Sequence, residues 1–366
     1  MIKFLDLKKI NAKFELEFKH SFSNFLDSGH YILGQQVALF EKQYASYCGT
    51  KHCIGVSSGL DALTLILEGY KALGLFKVGD AIIVPANTYI ATVLAITNAG
   101  LTPVLIEPEL NTYNINVALI EDKITANTKA ILGVHLYGGV YNVTALEAIC
   151  KANNLILIED AAQAHGAVAK DGRLVGNLSH AAAFSFYPTK NLGALGDAGA
   201  ITTNNTELAE VLFKLRNYGK STAYTNTIKG FNCRLDELQA SFLIAKLKHL
   251  NKDNKRRVAI AKLYLKHIKN AKVVLPDINS LDQHVFHLFV VRTKNRAALK
   301  DYLYSKGIET LIHYPIPVHK QEAYKVYNKT ILPITEQIHE QVLSLPLNTM
   351  LLDAEVFKVI EAINTF

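Results

Sequence analysis

Between residues 52 and 205, short apolar runs alternate with stretches of helical period, and this alternation constrains the fold more than any other feature. The runs are His52–Val56, Ala81–Val84, Pro103–Ile106, Ala130–Val134, Leu155–Glu159, Ala182–Phe186 and Ala198–Thr202. Stretches such as Asp61–Tyr70, Ile90–Ala99 and Val143–Ala152 lie between them. A sheet with one wet face alternates apolar and polar residues, whereas these runs stay apolar at successive positions, so both faces are covered. The expected class is α/β, with a mostly parallel mixed sheet between helical layers. In such sheets ligands sit beyond the carboxyl ends of the strands, so the residues just after each run carry the most information.

The remainder organises around that sheet. A long helix is expected from about Leu235 to Arg257, with Leu235, Leu238, Phe242 and Ala245 on one face. Then come a strand at Val285–Val291, a helix from Arg296 after an Asn295 cap, Gly307 as its stop, and a strand at Ile308–His313. The expected organisation is a large domain over residues 1–248 and a smaller C-terminal α/β domain over 249–366. No internal repeat or low-complexity segment interrupts it. Met1-Ile-Lys-Phe-Leu-Asp-Leu-Lys-Lys lacks the hydrophobic centre of a signal peptide, and no apolar run reaches the roughly eighteen residues of a membrane span, so a cytoplasmic protein is expected. The formal charge of +7 is concentrated in Lys246–Arg257, where a solvated amphipathic helix explains it without nucleic acid. A basic protein also suits an anionic small-molecule substrate. Cys48, Cys53, Cys150 and Cys233 are too few for a disulfide framework and lack a second pair at zinc spacing. They read as small buried hydrophobes, and no metal is expected.

Chemistry concentrates in three segments. In Phe184-Ser-Phe-Tyr-Pro-Thr-Lys-Asn-Leu-Gly-Ala-Leu-Gly-Asp-Ala-Gly-Ala200 a single lysine, Lys190, follows a strand end and a proline turn. Schiff-base chemistry needs a partly desolvated lysine whose neutral amine is accessible near pH 7. The glycines would let a flat ring approach the backbone. Taken alone, a lysine in such a loop is usually a surface residue. Leu155-Ile-Leu-Ile-Glu-Asp-Ala-Ala-Gln163 puts Glu159 and Asp160 at the end of an apolar strand, where unpaired acids are costly. A carboxylate there can keep a pyridine nitrogen protonated and make the ring an electron sink; its plainer role is to cap a following helix. Ile54-Gly-Val-Ser-Ser-Gly-Leu-Asp-Ala-Leu63 reads as strand, turn and helix start, an ordinary cap or a phosphate site built from free N–H groups. It is neither a Walker loop nor a dinucleotide fingerprint. Val84-Pro-Ala-Asn-Thr-Tyr89 ends a strand with an aromatic ring suited to stacking on a planar group or to core packing.

These segments together resemble the sugar aminotransferases of the DegT/DnrJ/EryC1/StrS family, within the aspartate aminotransferase-like fold type I. The resemblance runs from Phe4-Leu-Asp-Leu to Leu343-Ser-Leu-Pro346. It is most specific in Ile158-Glu-Asp-Ala-Ala-Gln163, Ser185-Phe-Tyr-Pro-Thr-Lys190 and Gly230-Phe-Asn-Cys-Arg-Leu-Asp-Glu-Leu-Gln239. It implies pyridoxal 5′-phosphate held by Lys190 as a Schiff base, with Lys190 then moving the proton. Asp160 is implied on the pyridine nitrogen, Gln163 near the 3-hydroxyl and Tyr89 on the ring face. Ser185 and the backbone of Gly59 and Leu60 are implied on the phosphate, with Asn232 reaching it from a partner subunit, hence a homodimer with shared sites. Many relatives read Ser-Gly-Thr where this chain has Ser58-Gly59-Leu60, so one hydroxyl contact is lost here.

Gly29-His-Tyr-Ile-Leu-Gly34, Gly59-Leu-Asp-Ala-Leu63 and Pro85-Ala-Asn-Thr-Tyr-Ile-Ala91 are similar to the branch that aminates C3 of dTDP-linked 3-keto-6-deoxyhexoses. That branch supplies amino sugars for surface polysaccharides and antibiotics. It implies L-glutamate as donor, Tyr187, His313 and Tyr314 against the sugar nucleotide, and Lys220 facing its diphosphate. His313 and Tyr314 also read simply as half-buried rings at a strand end. The main alternative aminates C4 of a UDP- or dTDP-linked 4-keto sugar. A dehydratase of the same family is disfavoured by Lys190, since such members carry histidine there. A non-catalytic sensor is disfavoured by Lys190, Asp160 and Gln163 together. A nicotinamide oxidoreductase lacks its Gly-x-Gly-x-x-Gly.

Overall fold

All seven apolar runs enter one sheet. The computed structural model of the protein describes residues 1–278 and 280–366. The strands are β1 (His52–Val56), β2 (Ala81–Pro85), β3 (Thr102–Ile106), β4 (Thr128–Val134), β5 (Ile156–Asp160), β6 (Ala181–Ser185) and β7 (Gly199–Thr203). Their spatial order is β1-β7-β6-β5-β4-β2-β3. From β6 to β3 every pair is parallel, while β7 lies antiparallel between β1 and β6. Gly199 is opposite both Val56 and Ser185, so the ends of β1 and β6 meet at the start of β7.

Three helices, α1 (Leu7–Ala12), α2 (Glu15–Ser28) and α3 (Gln35–Cys48), precede the sheet. Helices α4 (Gly59–Ala72), α5 (Ile90–Asn98) and α6 (Val143–Asn153) connect its strands, and α7 (Thr206–Leu215) follows β7. The chain continues through α8 (Glu237–Leu247), α9 (Leu250–His267), β8 (Phe289–Arg292), α10 (Arg296–Ser305), α11 (Pro333–Gln341), β9 (Val342–Leu345) and α12 (Asp353–Asn364). Ile82 and Val84 pack on one sheet face with α4, α5 and α7, while Ile83 between them packs on the other with α3, α6 and α8. Both faces are dry, which is why the runs stay apolar at successive positions through their centres, with polar residues only at their ends. A separate core gathers β8, β9, α9, α10 and α12. Among the described residues no helix is long and apolar enough to cross a membrane, and all four cysteines are buried and free.

Three local expectations are corrected. The single helix expected over 235–257 is two helices, and the first starts at Glu237. Between them the His249 N–H bonds the Lys246 carbonyl, three residues back rather than four, which tightens and ends the turn. No glycine or proline marks that break. The strand expected at 308–313 is extended chain shared between two partners. Ile308 bridges Ile2 and Leu311 bridges Ser344, so no continuous ladder forms. Asn295 stands at the start of α10, but its side chain makes no capping bond.

A buried ion pair fixes β1. The Arg216 guanidinium bonds the Glu41 carboxylate and the Gly55 carbonyl, and Glu41 also accepts the Gly55 N–H at 2.7 Å. Burial still raises the Glu41 carboxyl despite the guanidinium. Arg216→Met would leave that carboxylate buried without its cation. It should cost about 3–5 kcal/mol, read as a lower denaturant midpoint; an unchanged midpoint would show that the pair adds nothing.

Candidate active site

The carboxyl ends of β1, β2, β5 and β6 converge on one cavity of about 690 Å³. At the end of β1, α4 starts with Ser58 as its cap, the Ser58 Oγ accepting the Asp61 N–H at 3.1 Å. Asp61 in turn accepts from the hydroxyls of Ser57, at 2.6 Å, and Ser58, at 2.8 Å. The N–H groups of Gly59 and Leu60 have no partner among the described residues. A Cβ at Gly59 would lie 2.6 Å from that of Ser185, so glycine lets the helix start close against β6. Two free N–H groups at a helix N-terminus beside a hydroxyl can hold an anion.

Consecutive strand residues face opposite ways, and the two acids of β5 therefore have different surroundings. Glu159 is saturated: it accepts the N–H groups of Gly176 and Leu178 and the Ser179 hydroxyl, each at 2.9 Å, and pairs with His135 at 3.1 Å. Asp160 accepts only the Thr92 hydroxyl at 2.8 Å and the Ala162 N–H at 3.2 Å. No α-helix follows it, so Asp160 is no helix cap. Burial raises its carboxyl above the ordinary value, with those two donors and the Lys190 charge pulling the other way.

Lys190 lies in the loop from β6 to β7. Its own N–H bonds the Tyr187 carbonyl at 2.8 Å, and the Ala194 N–H returns to the Phe186 carbonyl at 2.8 Å. From outside, the Gln239 Oε1 accepts the Leu195 N–H at 2.9 Å, Lys246 Nζ bonds the Gly193 carbonyl, and Asn191 bonds Asn254. The loop is thus tied to both α8 and α9. Burial lowers the Lys190 ammonium to about 8, opposed by the negative charge of Asp160. The two groups are each penalised by the same desolvation and each relieved by the other.

Tyr89 sits just before α5, half exposed, with its ring centroid 5.0 Å from that of Tyr314. Gln163 Nε2 donates to the Tyr314 hydroxyl at 3.1 Å, while its Oε1 accepts the Tyr137 N–H at 2.6 Å. The Tyr137 hydroxyl donates to the His313 carbonyl, and His313 Nδ1 lies 2.8 Å from the Ser344 hydroxyl. The 310–314 segment is thereby fastened over the strand ends.

The cavity brings together Gly59, Leu60, Tyr89, Asp160, Gln163, Ser185, Tyr187, Lys190, His313 and Tyr314. Asn232 and Lys220 lie outside it: Asn232 is exposed and bridges Asn217, and Lys220 lies over the Tyr218 ring. Thr92, Thr189 and His287 also line it, and the sequence motifs assign none of them a role. Thr92 has a legible signal, one helical turn after Tyr89; His287 has none, since only the packing of β8 brings it there. Among the described residues no group of histidine, cysteine, aspartate or glutamate is gathered to hold a metal ion.

An anion cradle at a helix start, an under-satisfied buried carboxylate and a desolvated lysine, facing one cavity, define a site of the pyridoxal-phosphate aminotransferase class. The chain belongs to the DegT/DnrJ/EryC1/StrS aminotransferase family, whose model matches residues 13–364. It is 55% identical over 366 residues to a dTDP-3-amino-3,6-dideoxy-alpha-D-galactopyranose transaminase of Aneurinibacillus thermoaerophilus, covering 100% of this chain and 99% of that one. It is 44% identical over 365 residues to a dTDP-3-amino-3,4,6-trideoxy-alpha-D-glucose transaminase of Streptomyces venezuelae, covering 99% and 95%. The crystal structure of S. venezuelae DesV in complex with a ketimine intermediate superposes with a TM-score of 0.95 at 43% identity, covering 100% of this chain and 98% of that chain. The fold is the aspartate aminotransferase-like fold type I, and the cofactor is pyridoxal 5′-phosphate.

The residues fit that cofactor. A cationic ring nitrogen would supply the countercharge that buried Asp160 lacks, and a phosphate would take the free N–H groups of Gly59 and Leu60. The Lys190 value makes a signed prediction. Covalent attachment of pyridoxal phosphate to the cofactor-free protein should accelerate as pH rises and level off above about 8, as the amine loses its proton. In Asp160→Asn the charge holding that proton is gone, so the midpoint should move to lower pH. A pH-independent attachment rate would contradict the assignment of the Lys190 amine as the reacting group.

Proposed function

We propose that the protein transfers an amino group from L-glutamate to C3 of a dTDP-3-keto-6-deoxyhexose, giving a dTDP-3-amino-3,6-dideoxyhexose. The observation that carries this reading is the shared cavity of Lys190, Asp160 and Gln163 in a chain 55% identical, end to end, to a transaminase named for a dTDP-3-amino sugar. Both relatives reported above are named for sugars with the amino group at C3, which favours C3 over the C4 alternative. The higher of the two identities favours the galacto configuration.

When bound, pyridoxal phosphate supplies an electron sink for the pair left on carbon as a proton departs. The chain's own residues do the rest. Lys190, whose ammonium burial brings down to about 8, gives up its own proton more readily than a solvated lysine and would take that proton and return it on the other carbon. Asp160, aligned by the Thr92 hydroxyl and the Ala162 N–H, would balance a positive ring nitrogen. Gln163, gripped by the Tyr137 N–H and donating to Tyr314, would lie near the ring's 3-hydroxyl. Tyr89 would cover the ring, and Gly59, Leu60 and Ser185 would hold the phosphate. Tyr187, His313 and Tyr314 contact the sugar nucleotide.

Incubation with L-glutamate and, separately, dTDP-3-keto-6-deoxygalactose and dTDP-3-keto-6-deoxyglucose tests the reading by mass spectrometry. The galacto substrate should gain the 3-amino group, and Lys190→Ala should make none. Turnover by that variant, or amination only of a 4-keto sugar, would overturn it.

The same reading includes a homodimer. Asn232 and Lys220, outside the cavity of their own chain, would serve the second subunit's site, Asn232 at the phosphate and Lys220 at the substrate diphosphate. A hydrogen bond to a charged group is worth about 1.5–3 kcal/mol, so Asn232→Ala should weaken cofactor retention by roughly tenfold to a hundredfold. Mixing inactive Lys190→Ala subunits with Asn232→Ala subunits should restore activity above either parent, because one site of each mixed dimer then carries neither change. Mixed dimers that stay inactive would show that Asn232 serves its own chain.

A further inference from the structure

A second cavity, of about 550 Å³, adjoins the first and shares Thr189, His287 and His313 with it. Thr189 immediately precedes Lys190, so the second cavity reaches the reacting end of the first. Arg257 of α9 lines it and is itself only 4% exposed. Its Nη1 donates to the carbonyls of Phe286, at 3.2 Å, His287, at 3.3 Å, and Leu347, at 3.2 Å. Its Nε and Nη2 bond nothing among the described residues, yet neither is sealed from solvent, so both open onto the cavity.

Among the described residues no carboxylate forms an ion pair with this guanidinium, and only the nearby charge of Asp253 offsets its burial. Asp253, one turn earlier on α9, is engaged with Lys13 at 2.7 Å. Glu309, on the cavity wall, accepts the Phe4 N–H at 3.1 Å, and Asp301 and Lys300 are exposed at the rim. Burial lowers the Arg257 cation to about 10, still charged at neutral pH. It lowers the His313 imidazole to about 4 and the His287 imidazole as well, so both are neutral there. Arg257 is therefore the only buried charged residue among those lining the cavity, a cation with two free donors side by side. Leaving a buried charge unneutralised is costly, and carbonyl dipoles offset it only in part. A planar pair of N–H donors matches a carboxylate, and Leu5, Leu288 and Leu347 on the walls suit a short methylene chain.

We propose that Arg257 binds the side-chain carboxylate of the amino donor, so that this cavity selects a dicarboxylic amino acid and directs its amino group past Thr189 toward Lys190. The proposal rests on the aminotransferase reading above and adds the element of the fold that recognises the donor.

Glutarate, a dicarboxylate that cannot react, is the probe. Calorimetric titration of the holoenzyme should show glutarate binding more tightly than butyrate. Arg257→Met should lose about tenfold to a hundredfold of the glutarate affinity and leave butyrate binding unchanged. In the same variant the spectroscopically followed half-reaction should need correspondingly more glutamate, while the reverse half-reaction with the dTDP-3-amino sugar keeps its concentration dependence. Glutarate affinity within about twofold of the wild type, or a wild type that does not prefer glutarate, would overturn the proposal. Should Arg257→Met fail to fold, Leu311→Trp decides: Leu311 is 48% exposed at the cavity rim and away from the core. Its bulk should weaken glutarate binding, and unchanged affinity there would overturn the proposal equally. Glutarate binding lost with Arg257, in an enzyme that aminates no dTDP-linked sugar, would instead refute the sugar reading and leave the donor site standing.

Discussion

The site depends on the unequal treatment of two neighbouring buried acids. β5 carries Glu159 and Asp160 in succession, and the pleat sends them to opposite faces of the sheet. Glu159 meets two backbone N–H groups, a hydroxyl and His135, so its charge is consumed in tying the Gly176–Ser179 turn to the strand. Asp160 meets two donors and an open cavity. A fully satisfied carboxylate makes a good brace and a poor reagent; one held short of satisfaction keeps its electrostatic demand for whatever enters. The surrounding elements follow from this. Thr92 of α5 orients Asp160, and the Lys190 loop stands opposite, so its amine and the carboxylate share one desolvated space.

Rigidity around that space comes from straps outside the sheet. Gln239 and Lys246 from α8 and Asn254 from α9 hold the loop around Lys190 at three points. Tyr137 and Gln163 hold the segment carrying His313 and Tyr314. The catalytic loop is thus fixed by helices on the C-terminal side of the chain. The Arg216–Glu41 pair does the equivalent for β1, whose end leads into the anion cradle.

Much of this is legible in the amino-acid sequence alone. Each apolar run is a strand to within a residue or two, because dryness on both faces keeps polar residues to the strand ends. Lys190, Asp160, Gln163 and Tyr89 stand out because each follows a strand end. The helix break near Lys248 is invisible, since residues 237–267 contain no glycine or proline and the tightened turn from Lys246 to His249 leaves no mark in the apolar pattern. Extended chain at 308–313 reads as a strand because its residues suit one, but its two partners lie on different segments, Ile2 and Ser344. Thr92, His287 and Arg257 gain their meaning from the segments that the fold sets against them, and a linear pattern does not carry that.

The reversed direction of β7 has a further consequence. The parallel strands β2, β4 and β5 each need a crossover before the chain can return, which takes it away from the ligand end of the sheet. β6 and β7 are instead joined as a hairpin whose turn lies at that end. The chain leaves β6 at Ser185 and re-enters at Gly199, opposite both Ser185 and Val56, where a side chain would strike the Ser58 carbonyl. The lysine is therefore carried on a closed loop with both feet in the site. Evolution can lengthen the crossovers on the far side of the sheet without touching the chemistry, but any residue added between β6 and β7 changes the reach of the lysine itself.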